Sequence, residues 1–175
     1  MRIKDKSFEP FIDAEKIGEK VEQLAKAINE DYSDKTPLFL SILNGSFMFA
    51  ADLMKKVTIS SEISFIKVAS YNSMVSSGHI TELIGLSEPI FNRHIVVLED
   101  IVDTGRTMKQ IISSLEERGA KSIEIASLLV KPEALESKID VKYLGFEIPN
   151  DFVVGYGLDY DGLGRNLASI YTLTE

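Results

Sequence analysis

The chain has 175 residues, 45% hydrophobic and 26% charged, the composition of a globular protein large enough to bury a core. Its net charge of −8 argues against general nucleic-acid binding, and the absence of cysteine excludes disulfides and thiolate metal sites. No apolar run reaches membrane-spanning length and Met1–Pro10 lacks a signal-peptide pattern, so the expectation is one cytoplasmic domain over residues 1–175, with no membrane partner.

From Asp13 to Asp31 the residues Ile17, Val21, Leu24, Ala25 and Ile28 recur at helical spacing, which predicts a structural helix with Asp13 as its N-cap. Pro37–Leu43 reads as a strand and runs into Asn44-Gly45-Ser46. A helix follows, carrying Phe47, Phe49, Ala50, Leu53 and Met54. On its own the Asn-Gly turn is no more than a connection. Ile63–Ala69 is a third strand. After Ser70-Tyr71 comes a Ser- and Gly-rich stretch, 72–79, expected to be mobile. His79 ends that stretch and His94 precedes the next strand. Both read as solvated surface residues with no catalytic part.

Ile95–Leu98 is an apolar run with the character of a buried strand. Two adjacent carboxylates follow, Glu99 and Asp100, then the turn Asp103-Thr104-Gly105-Arg106-Thr107. After it Met108, Ile111, Ile112 and Leu115 fall at helical spacing. The turn therefore opens a helix, where unpaired N–H groups and the helix dipole favour an anion. Gly105 permits close backbone approach, and Thr104 and Thr107 add hydroxyl donors. A phosphate suits this turn, whereas Glu99 and Asp100 suit hydroxyl groups or a divalent cation. A ligand with a phosphate at one end and a diol with Mg²⁺ at the other satisfies both. An ordinary strand–helix turn needs a single cap, Asp103 or Thr104, and leaves the carboxylate pair unexplained.

That helix ends at Gly119, a good C′ residue. Ser122–Val130 is another strand, closed by Lys131-Pro132, and Val141–Phe146 is strand-like. A lysine at a strand's C-terminal end is commonly a solvated rim charge, but in an α/β sheet that edge is also where ligands bind. Phe152 would ordinarily be core, yet it follows the turn Pro149-Asn150-Asp151. The alternation of strands and helices predicts an α/β fold: a central parallel sheet flanked by helices on both faces.

Taken together, Glu99-Asp100, Ile101-Val102 and Asp103–Thr107 after an apolar strand resemble the binding motif of the type I phosphoribosyltransferases. The segment Glu147–Tyr160 resembles the purine-binding signature of their hypoxanthine-guanine branch. The likeness runs from Pro37 to Leu167. It implies a small hood built from the N- and C-terminal segments. It also implies transfer of the phosphoribosyl group from phosphoribosyl pyrophosphate to hypoxanthine, with guanine as a further base, giving IMP or GMP. In this reading Glu99 and Asp100 meet the ribose hydroxyls and Mg²⁺, and Thr104, Gly105, Arg106 and Thr107 cradle the 5-phosphate. Asp103 handles the proton on purine N7. Lys131 donates to the 6-oxo group, Phe152 stacks on the base, Val153 bonds its edge through the backbone, and Asp159 assists the metal. Asn44, Gly45 and Arg165 meet pyrophosphate, and Ser70-Tyr71 begins a loop that closes over the site. Asn44 stands where the family often has Lys or Arg, so only a backbone contact is expected there, and the family often holds the preceding peptide in cis. The resemblance further implies a homodimer or homotetramer. An adenine-, xanthine- or orotate-specific transferase stays open, as does a regulator that binds phosphoribosyl pyrophosphate without catalysis. Lys131 and the Phe152-Val153 segment favour a 6-oxopurine.

Overall fold

The computed structural model describes residues 1–70 and 81–174. In chain order the elements are β1 (Arg2–Ile3), β2 (Lys6–Ile12), α1 (Ala14–Asp31), β3 (Leu38–Ile42), α2 (Phe47–Met54), β4 (Glu62–Ser70), β5 (Thr81–Ile84), β6 (His94–Val102), α3 (Arg106–Glu117), β7 (Ser122–Val130), β8 (Tyr143–Glu147), β9 (Val153–Val154) and β10 (Ile170–Leu173). A single 3₁₀ turn at Pro132–Ala134 follows β7. The larger sheet has the order β5-β4-β3-β6-β7-β8. Its five strands from β4 to β8 in that order are parallel, and β5 is an antiparallel edge. The smaller sheet, β1-β2-β10-β9, is antiparallel and joins the two ends of the chain.

Strand β3 is buried along its whole length, as expected of a parallel strand covered on both faces. Successive side chains alternate between those faces. Phe39 joins Ile17, Val21, Ile28, Phe49, Leu53, Val96 and Leu98 under α1 and α2. Leu38 and Leu40 join Ile66, Ile95, Val97, Met108, Ile111 and Leu115 under α3. Each such fully buried side chain contributes about 1.5–3 kcal/mol relative to exposure. Helix α1 starts where Asp13 accepts the Lys16 backbone N–H at 2.9 Å. Among the described residues no helix is long and apolar enough to cross a membrane.

Helix α2 leaves β3 toward one face of the sheet, and α3 leaves the neighbouring β6 toward the other. The chain thus diverges between two adjacent parallel strands, and at their C-terminal ends it opens a crevice of the kind that holds ligands in such sheets. The turns 43–46 and 103–105 and residue Lys131 all lie at this edge. His94 lies at the opposite end of β6. It is half-buried rather than solvated: its Nδ1 is 2.7 Å from Ser122 Oγ and its ring meets the edge of Tyr32. Burial, aided by the Lys121 charge, pulls its pKa below the usual histidine value. Its seclusion follows from the β6–β7 register, which sets it opposite Ser122. His79 lies outside the described residues.

Candidate active site

Strand β6 extends to Val102, so Glu99 and Asp100 are strand residues. Both are buried. The Asp100 backbone N–H donates to Glu99 Oε1 at 3.2 Å. Burial pushes the Glu99 carboxyl well above the usual carboxylate range, and the hydrogen bond and charge of Asp100 push it the same way. Asp100 reaches across to the neighbouring turn, where a Cβ on Gly45 would fall on its carboxylate. The glycine is therefore required by Asp100. The Leu43–Asn44 peptide is cis. Ser46 Oγ secures this turn through the Ile42 carbonyl at 2.5 Å and Ser41 Oγ at 2.7 Å.

Gly105 sits at the N-cap of α3 with φ +81°, a backbone shape that favours glycine, and a Cβ there would meet Ile139. The Arg106 N–H donates to Thr104 Oγ1 at 3.4 Å. The segment after β7 braces the turn from outside: the Glu136 N–H donates to the Thr104 carbonyl at 3.1 Å, and Glu136 Oε2 accepts from Arg106 Nε at 2.6 Å. A cavity of 120 Å³ is lined by Glu99, Ile101, Asp103, Thr104, Gly105 and Thr107. Lys131 is buried at the end of β7, its Nζ 3.1 Å from Asp103 Oδ2.

Phe152 precedes β9 and is partly exposed. Phe8 and Tyr160 back its ring, with centroids at 6.4 and 5.9 Å, the latter edge-on. Val153 is buried and pairs with Thr172 of β10. Asp159 is held by Arg165 Nη2 at 2.7 Å and by the Gly162 N–H at 2.6 Å. The other Arg165 nitrogen donates to the Gly157 carbonyl at 2.7 Å. The resemblance assigns Glu99 and Asp100 to Mg²⁺ and Asp159 to assisting the metal. Among the described residues no three His, Cys, Asp or Glu side chains gather as a ligand group, and Asp159 turns instead to the cation six residues on. Arg165 likewise faces its own loop. Ser70 ends β4, and Tyr71 lies outside the described residues.

The buried Glu99–Asp100 pair suits a divalent cation or hydroxyl donors, since among the described residues no basic side chain offsets the desolvation of Glu99. Sequence reasoning missed that Phe8, from the start of the chain, and Tyr160, eight residues on, pack on Phe152. It also missed Gly157, whose added Cβ would fall on the Gly45 carbonyl. The run Gly155-Tyr156-Gly157 was the only local signal of such a close approach.

The phosphoribosyl transferase domain family matches residues 11–161 of the chain. The hypoxanthine-guanine phosphoribosyltransferase of Streptococcus pneumoniae is 41% identical over 166 residues, covering 94% of this chain and 92% of that protein. The bifunctional protein TilS/HprT of Listeria monocytogenes is 38% identical over 161 residues, which is 91% of this chain but 25% of that protein, so the chain spans only a quarter of that relative. The crystal structure of a hypoxanthine phosphoribosyltransferase from Staphylococcus aureus matches with a TM-score of 0.88 at 38% identity, covering 98% of this chain and 93% of that one.

Proposed function

This chain belongs to the phosphoribosyl transferase domain family, and on that premise we propose that it is a purine salvage enzyme. It transfers the 5-phosphoribosyl group from phosphoribosyl pyrophosphate to hypoxanthine, and to guanine, releasing pyrophosphate and IMP or GMP. The observation that carries this reading is the company Lys131 keeps. A buried lysine, paired with Asp103, stands beside a hydroxyl-rich helix N-terminus and a buried carboxylate pair.

The N–H groups and hydroxyls of Thr104, Gly105, Arg106 and Thr107 bind the 5-phosphate. Glu99 and Asp100 accept hydrogen bonds from the ribose hydroxyls and would hold Mg²⁺ there. When bound, that ion supplies positive charge against the departing pyrophosphate. The backbone of Asn44-Gly45 receives pyrophosphate, and Arg165 is released from Asp159 to meet it. As the C1–pyrophosphate bond breaks, C1 becomes oxocarbenium-like and a purine nitrogen attacks it. Asp103 takes or stabilises the proton on N7. Lys131 donates to the 6-oxo oxygen, Phe152 stacks on the ring, Val153 bonds the base edge through its backbone, and Asp159 supports the metal-bound end. The segment from Ser70-Tyr71 onward excludes water, which would otherwise hydrolyse the activated ribose. The enzyme works in the cytoplasm as a homodimer or homotetramer.

A steady-state assay with hypoxanthine, guanine, xanthine and adenine tests the reading. Turnover of the first two with little use of adenine is expected. A preference for adenine, or no turnover with any base, would overturn it.

A further inference from the structure

The segment Gly155-Tyr156-Gly157 lies between the base-stacking Phe152 and the pyrophosphate turn. Tyr156 has φ +50°, a conformation uncommon for a residue with a side chain, between two glycines at +105° and +102°. Such a backbone persists only where its surroundings over-determine it. Here the Tyr156 N–H donates to the Leu167 carbonyl at 2.8 Å, and the side chain is buried with its hydroxyl donating to Asp52 Oδ2 at 2.7 Å. Burial, reinforced by the Asp52 carboxylate, pushes the phenol above its ordinary pKa and keeps it a donor. Burial alone would raise Asp52, but hydrogen bonds from Lys55 and Tyr156 bring it below the usual carboxylate value.

Asp52 is on α2, the helix that begins directly after Asn44-Gly45-Ser46. Gly157, next to Tyr156, rests on the Gly45 carbonyl. The purine-binding loop therefore grips α2 at two points, at its head through Gly157 and along its body through Tyr156. The geometry points to Tyr156 and Asp52 as a positioning pair that holds the 43–46 turn in register with the purine-binding loop. Neither side chain has a part in the chemistry above, and the role rests on the transferase reading only for its kinetic consequence.

The molecule contains its own control. Tyr143 donates to Asp31 Oδ2 at 2.8 Å, another buried phenol on a carboxylate. That pair joins the end of α1 to the start of β8, at the opposite edge of the sheet. If Tyr156 mattered only for stability, Tyr156→Phe and Tyr143→Phe would behave alike.

The test compares these two variants by thermal denaturation, by hydrogen exchange of the backbone amides of Gly45, Ser46 and Phe47, and by kinetics. Both substitutions are expected to lower Tm. Only Tyr156→Phe should speed exchange in the 45–47 segment and raise KM for phosphoribosyl pyrophosphate, by roughly fivefold, the size of one ordinary net hydrogen bond. Asp52→Ala should match it, the double variant should be no worse than either single one, and Asp52→Asn, which keeps an acceptor oxygen, should restore most of the loss. Unchanged exchange and KM in Tyr156→Phe, or additive losses in the double variant, would overturn the inference. Exchange needs no turnover, so an unsubstituted chain inactive with every purine would refute the transferase reading while leaving the pair to be judged by exchange.

Discussion

Lys131 Nζ and Asp103 Oδ2 are 3.1 Å apart, so the lysine and the carboxylate to which the proposed mechanism gives the 6-oxo group and the N7 proton form one ion pair. Strands β6 and β7 lie side by side and parallel, and the Lys131 N–H donates to the Val102 carbonyl at 3.0 Å, which aligns the two strand ends. In the proposed mechanism a purine divides this pair, taking the lysine at its 6-oxo oxygen and the carboxylate at N7. The lysine is buried, so removing it leaves Asp103 without the cation that faces it.

Lys131→Ala should therefore impair two functions. We expect kcat/KM for hypoxanthine to fall well over tenfold, with KM for phosphoribosyl pyrophosphate little changed and the preference over adenine narrowed. A change within about threefold, too small for a lost charged hydrogen bond, would show that Lys131 does not meet the base. Asp103→Asn keeps the shape and removes the proton acceptor, and kcat should drop on the order of 10²–10⁴. Near-native kcat with chemistry rate-limiting would contradict that role.

Glu99 sets stability against function. Its folded pKa is raised, by burial first and by Asp100 next, so it keeps its proton in the folded chain at pH values where the unfolded chain has lost it. Stability from this group is complete below the ordinary carboxylate pKa and declines as pH rises through the folded value, at up to ~1.4 kcal/mol per pH unit. Glu99→Gln removes that slope. The ligand-free variant should melt higher than the parent at neutral pH, with a gap that widens as pH rises from 5, while catalysis suffers. Parallel Tm–pH curves for the two proteins would refute the assignment.

Phe152 is backed on one side by Phe8 and Tyr160 and is partly exposed. Base–aromatic stacking is worth about 1–3 kcal/mol. Phe152→Leu should raise KM for the base fivefold or more at nearly constant Tm. Lower Tm with unchanged KM would mark the ring as core.

Gly45→Val should abolish activity in a folded protein, because the new Cβ displaces the Asp100 carboxylate and disturbs the ribose and pyrophosphate ends together. Asn44→Ala should change KM for phosphoribosyl pyrophosphate less than tenfold, since one neutral hydrogen bond is worth at most about 1.4 kcal/mol. Kinetics with pyrophosphate and its phosphoribosyl ester, with circular dichroism as the folding control, decide both. A folded, active Gly45→Val enzyme would show that Asp100 can move freely.

Much of this protein is written locally in its sequence. The parallel strands and their helices follow from runs and periods within a few residues, and Asp13, Gly105 and Gly119 act at helix ends through nearby backbone. The turn after β6 reads from sequence as a candidate anion site because a helix N-terminus is a local object. What the sequence could not declare depends on which distant segments the topology sets side by side. The short strands β1 and β9 have no period to read and exist through their partners. Local spacing made His94 a solvated residue, and the β6–β7 register gave it Ser122. The resemblance gave Asp159 and Arg165 separate parts, and the folded loop pairs them with each other. The contacts of Asp100 with Gly45, of Gly157 with the Gly45 carbonyl and of Tyr156 with Asp52 join residues far apart in the chain. Side-chain partnership of that kind is decided by strand order and packing, because only the folded sheet brings those groups within hydrogen-bonding range.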